Sequence, residues 1–125
     1  MKTKKRLLSV GLLAGLIIGG APAAWSHSFP EHESPSAGAT VRTPPAQVTI
    51  KYDAPIEKLF DSLRVLNAAG EDQAAAKPKL SANGYELTVP VKPLSPGQYT
   101  VKWRVVSIDT HHTEGSYTFT VANTN

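Results

Sequence analysis

Gln98-Tyr99-Thr100-Val101-Lys102-Trp103-Arg104-Val105-Val106-Ser107-Ile108 is the stretch that decides the fold. Tyr99, Val101, Trp103 and Val105 fall on one side of an extended chain, and Thr100, Lys102 and Arg104 on the other. Strand side chains alternate between two faces, so this period of two predicts a long, half-buried strand. Val106 and Ile108 blur the alternation, which predicts that both faces are covered there. Trp103 reads as a core anchor, because a lone Trp on a periodic strand face packs.

The same period recurs on either side. Val48, Ile50 and Tyr52 alternate with Thr49, Lys51 and Asp53, between Pro44-Pro45 and Pro55. A run from Leu59 to Leu66 alternates less cleanly. Tyr85, Leu87, Val89 and Val91 form another face, with Pro90 marking a strand end or an edge. Tyr117, Phe119 and Val121 alternate with Ser116, Thr118 and Thr120 in the last strand. Asn67-Ala68-Ala69-Gly70 and Ser95-Pro96-Gly97 read as turns. The stretch from Glu71 to Lys79 is a polar, Ala-rich connection with room for one helical turn before Pro78. Short strands with Pro and Gly punctuation predict an all-β sandwich or barrel. The absence of a Cys–Trp–Cys pattern excludes an antibody-type domain.

The first residues are of another kind. Lys2, Lys4, Lys5 and Arg6 precede an apolar run from Leu7 to Ile18, and small residues follow up to Ala24. This is the layout of a cleavable secretory signal, and the run is shorter than the about 20 residues a spanning helix needs. No Cys follows it, which argues against lipoprotein anchoring. Residues 1–26 are therefore read as a signal peptide and 27–125 as one small exported domain, periplasmic in location. Small residues are wanted at the third and first positions before the cut. Ala24-Trp25-Ser26 satisfies this and exposes His27, whereas Ala21-Pro22-Ala23 satisfies it and leaves an overhang. A cut after Ala24 would place His27 third, behind Trp25 and Ser26, another chelating arrangement that uses backbone nitrogens.

The formal charge of +3 is misleading once the leader is set aside. Four of the 13 basic residues lie there, which leaves nine against 10 acidic ones. A nucleic-acid or anionic-membrane partner thus loses its main support. There is no Cys, so packing alone holds the domain together, and thiolate metal sites and Cys nucleophiles are excluded.

A chain that begins at His27 offers an α-amine and an imidazole from one residue. Asp109-Thr110-His111 lies near the other end. On an extended segment, residues two apart point to one side, so Asp109 and His111 are expected to face one ion. Three nitrogens and a carboxylate oxygen suit tetragonal Cu(II), which heads the divalent affinity order. Met1 is the only Met and goes with the leader, so no thioether set exists for Cu(I). One Cu(II) ion per chain, held rather than cycled, is the expectation. A polar turn between strands is the plainer reading of Asp109-Thr110-His111, and the His at the new N-terminus is what favours the metal.

His112 is expected to point away from His111 into solvent, and His32 to be exposed, each a marginal candidate ligand. Enzyme signatures are absent: no Gly-rich phosphate loop, no H-E-x-x-H and no G-x-S-x-G. Ser107, Asp109 and His111 lie too close along one strand for the geometry of a catalytic triad.

Gly97-Gln98-Tyr99-Thr100-Val101-Lys102-Trp103-Arg104-Val105-Val106-Ser107-Ile108-Asp109-Thr110-His111, continued by Gly115-Ser116-Tyr117-Thr118-Phe119-Thr120-Val121, resembles the CopC family of periplasmic copper-resistance proteins. So do the His after the leader, Ser34-Pro35 and Gly38-Ala39. The resemblance implies a small immunoglobulin-like Greek-key β-sandwich or barrel that binds Cu(II) through His27, Asp109 and His111. It also implies a non-enzymatic role in sequestering copper or passing it to an inner-membrane copper transporter. A monomer is the default. The chain departs from the family in three places. It lacks the Met-rich Cu(I) site of some members, has Phe29 where some carry a second His, and has Ala54 where many carry a Glu. Asp53 or Glu57 is the candidate substitute for that Glu. Two other functions stay open: a copper-dependent oxidative enzyme with an N-terminal His brace, and a metal-free immunoglobulin-like interaction module.

Overall fold

The computed structural model describes residues 28–59 and 61–124. The leader, its cleavage point and His27 lie outside the described residues. Two four-stranded sheets pack face to face. One is ordered β1 (Pro30–Ser34), β3 (Gln47–Tyr52), β6 (Glu86–Pro90), β5 (Lys79–Leu80). The other is ordered β2 (Thr40–Val41), β8 (His112–Val121), β7 (Gly97–Val106), β4 (Ser62–Leu66). The only parallel pair among them is β2 with β8, through Thr40↔Thr120 and Val41↔Val121. This is an immunoglobulin-type arrangement. The first sheet corresponds to strands A, B, E and D, and β4, β7 and β8 to C, F and G. The first strand of the fold is split between the sheets as β1 and β2. Tyr99, near the start of β7, donates its hydroxyl to the Ser95 carbonyl at 2.6 Å, the tyrosine corner of such sandwiches.

The alternation read from the sequence is what builds the core. Val48, Ile50 and Tyr52 face Leu63, Val65, Val101 and Val105 from the opposite sheet, all buried in one cluster with Leu87, Val89 and Phe119. Burying one such side chain contributes ~1.5–3 kcal/mol, and no disulfide assists. Trp103 is buried as expected and meets the Tyr52 ring edge-on at 5.5 Å and 72°. Room for its indole comes from Gly115, its register partner on β8, where an added Cβ would lie 2.6 Å from Trp103 Cζ2.

Several details differ from the sequence reading. Leu59 is 66% exposed, and β4 starts only at Ser62, because the chain after Pro55 loops across the end of the sandwich. Ile108 is 59% exposed rather than covered, because the chain is already reversing there. The stretch 71–79 forms no helical turn; bridges Leu66↔Asp72 and Ala74↔Val91 bind it to the flank. Three short strands lacked a readable pattern: β1 is mostly polar, and β2 and β5 are two residues each.

The core also contains polar atoms under tension. The hydroxyls of Tyr52 and Tyr117 are buried without a hydrogen-bond partner, and both Asp61 carboxylate oxygens are buried too. Burial pushes both phenols upward. Burial, with a smaller contribution from Glu57 and opposed by the Val106 backbone, pushes Asp61 up to about 6.

Candidate metal centre

β7 and β8 form one long antiparallel hairpin, with register from Gly97↔Val121 to Val106↔His112. Its tip, residues 107–111, carries the Asp-Thr-His triplet. Ser107 closes the tip. Its amide donates to the His111 carbonyl at 2.9 Å, and its carbonyl accepts the Thr110 amide at 2.9 Å. Its hydroxyl, on a side chain 1% exposed, donates to Asp109 Oδ1. Thr110 sits at φ 73°, the left-handed region, which is an outlier for a β-branched residue. Strain of this kind costs about 1–3 kcal/mol and persists where the surroundings over-determine it. Here the Ser107 bonds do so.

Asp109 and His111 therefore meet, but not by strand alternation. The tight turn brings His111 Nδ1 to 3.2 Å from Asp109 Oδ2. Two donors about 2.0–2.2 Å from one metal ion and at right angles would lie about 2.8–3.1 Å apart. At 3.2 Å the pair stands slightly wider than that range, close to two adjacent positions of a tetragonal ion. The Ser107 hydroxyl above all holds the Asp109 carboxyl down to about 2; desolvation opposes it, and the His111 amide and side chain add smaller lowering contributions. It is a charged ligand at any pH at which an imidazole is neutral.

The 53–57 loop packs against the base of this tip, and the N-terminal stretch is tied to that loop and to β8. In the 53–57 loop, the Glu57 amide donates to the Val106 carbonyl at 2.7 Å, and Ile56 bridges Ser107. The N-terminal stretch is held from several sides. Thr113 Oγ1 donates to the Ser28 carbonyl at 2.7 Å, and Ser28 Oγ to the Pro55 carbonyl at 3.3 Å. The Phe29 amide donates to Asp53 Oδ1 at 2.8 Å, and its carbonyl accepts the Asp53 amide at 2.9 Å. Asp53, one candidate for the family's Glu, is thereby engaged with the N-terminal stretch. Glu57 is exposed.

Among the described residues no group of three His, Cys, Asp or Glu forms a metal cluster. The tip supplies two donors, and His27, the third expected, lies outside the described residues. His112 is exposed at the start of β8, as expected from its place beside His111. His32 is exposed on β1 opposite Lys51, in a surface hollow with Glu33, Thr49 and Glu86. Sequence reasoning weighed Ser107 only as a triad member and missed its role in holding the turn, for which its two-residue spacing from Asp109 was a usable signal. It also missed Thr113, Ser28 and Pro55, for which no local pattern exists, since Thr113 and Ser28 are 85 residues apart.

Residues 31–122 match the CopC domain family model. The chain is 39% identical over 108 residues to copper resistance protein C of Xanthomonas campestris pv. juglandis, covering 78% of this chain and 82% of that protein. It is 34% identical over 102 residues to protein YobA of Escherichia coli K12, covering 80% of this chain and 82% of that one. Among solved structures, CopC from Methylosinus trichosporium OB3b superposes with a TM-score of 0.73 at 35% identity, covering 79% of this chain and 97% of that one.

Proposed function

The chain belongs to the CopC family, and on that footing we propose that it is a periplasmic protein that binds one Cu(II) ion and sequesters it or passes it to an inner-membrane copper transporter. Copper is the metal associated with the family. The observation that carries the Cu(II) reading is the convergence of Asp109 Oδ2 and His111 Nδ1 at 3.2 Å on a strained, fully bonded turn. Two donors cannot hold copper tightly. The α-amine and imidazole of His27, freed by cleavage after Ser26, complete a set of three nitrogens and one oxygen. That set favours Cu(II) geometrically, and a charged carboxylate opposes reduction to Cu(I). With Met1 the only Met in the chain and no Cys, no soft donor competes.

The protein acts as a holder rather than a catalyst in this reading, as a monomer with copper as its cargo. Ser107 fixes the turn, Asp109 supplies negative charge, and His111 and His27 supply neutral nitrogens once deprotonated.

The test is electron paramagnetic resonance on protein exported and processed by its host, loaded with one equivalent of Cu(II). A single type-2 signal with nitrogen coupling is expected. His27→Ala, or acetylation of the amine, should weaken binding by orders of magnitude. A signal like that of loosely bound copper in the processed wild type, or an affinity that survives both changes, overturns the reading.

A further inference from the structure

The stretch that leads into β1 is held more firmly than a chain end requires. Ser28 is a polar residue with 0% exposure. Its carbonyl is gripped by the buried Thr113 hydroxyl at 2.7 Å, its own hydroxyl reaches Pro55, and the next residue exchanges two hydrogen bonds with Asp53. Thr113 stands two residues beyond His111, where β8 leaves the tip. A valine would fill the same volume there but would leave the Ser28 carbonyl without this donor. Ser28 is thus pinned at both its carbonyl and its side chain.

We propose that Thr113 is a positioning residue for the copper site, which acts by pinning the Ser28 carbonyl so that residue 27 presents its nitrogens to Asp109 and His111. This rests on the Cu(II) reading above. The hydroxyl never touches the ion. It removes the freedom that a loose chain end would have to give up on binding, and such preorganisation appears as affinity. Outer partners of this kind are typically worth about 10–100-fold in metal affinity.

Thr113→Val keeps the shape and removes the donor. Measured by competition with a chelator of known affinity, Cu(II) binding should weaken by about 10–100-fold, and Thr113→Ser should restore it. The deciding comparison repeats Thr113→Val in a chain that begins at Ser28. A residue acting only through His27 has no effect there. Wild-type affinity in Thr113→Val, or an equal loss with and without His27, overturns the proposal; the second result would mean that Thr113 supports the hairpin tip instead. If Thr113→Val does not fold, Asp53→Ala loosens the same stretch from its exposed side and faces the same two-background comparison, where no loss, or an equal one, overturns the clamp. The Cu(II) reading is judged separately, by whether the processed wild type shows a nitrogen-coupled signal at all.

Discussion

Replacing Asp61 by Asn should stabilise the metal-free domain at neutral pH and do nothing at low pH. Both Asp61 oxygens are sealed from solvent, and burial above all pushes the carboxyl from 3.8 up to about 6 against the lowering effect of the Val106 backbone. The folded state therefore holds the Asp61 proton better than the unfolded chain does. For an acid raised in this way, stability is full below the unfolded value, falls as pH rises through the window from about 3.8 to about 6, and is flat above it. Fully shielded, ionisation would cost ~3 kcal/mol. Asp61 as a whole is only partly buried, and solvent screening reduces that figure to about 1 kcal/mol. Asn has the same shape and no charge. Urea unfolding of both proteins from pH 4 to pH 8 should show a gap in favour of Asp61→Asn that opens with rising pH, reaches about 1 kcal/mol and stays level above pH 7. A gap independent of pH, or one that favours Asp61 at pH 8, would refute the reasoning.

Two other outcomes follow. Gly115→Ala sets a Cβ 2.6 Å from Trp103 Cζ2, inside a ring wedged against Tyr52; overpacking of this kind costs about 1–3 kcal/mol. A lower denaturation midpoint and altered Trp fluorescence should report it, and unchanged stability would mean the indole has another place to go. Copper affinity should fall steeply in acid, but not because of Asp109, which stays ionised down to about 2. In the proposed site copper would have to displace protons from two imidazoles and an amine. Below about pH 6 the logarithm of the affinity should change by about three per pH unit, and a slope of one would rule out three nitrogen donors.

Much of the fold was legible because a strand of half-buried type announces itself every second residue. Val48 to Tyr52 and Ser116 to Val121 stand as read, and the strand read from Gln98 to Ile108 stands as far as Val106. Strands β1, β2 and β5 did not announce themselves. His32 and Glu33 in β1 are held by the ladder to β3 rather than by apolar burial, and a two-residue strand has no period. Asp109 and His111 were legible as partners, but for the wrong local reason. A turn with Thr110 at positive φ joins them, and nothing in a threonine foretells that conformation. The grip of Thr113 on Ser28 was not legible at all, because only the closed sandwich brings those residues together.

That grip has a consequence for the unfolded chain. It links positions 85 residues apart, nearly the whole length of the domain, in a protein with no cysteine to do the same covalently. An ion shared between His27 and His111 would tie the same two points. Closing a loop of about 100 residues with a disulfide removes ~4.7 kcal/mol of disorder from the unfolded state in the chain-entropy model. Cargo and crosslink would then be one object: a loaded molecule would resist unravelling and proteolysis, and one that had given up its copper would be the more perishable of the two.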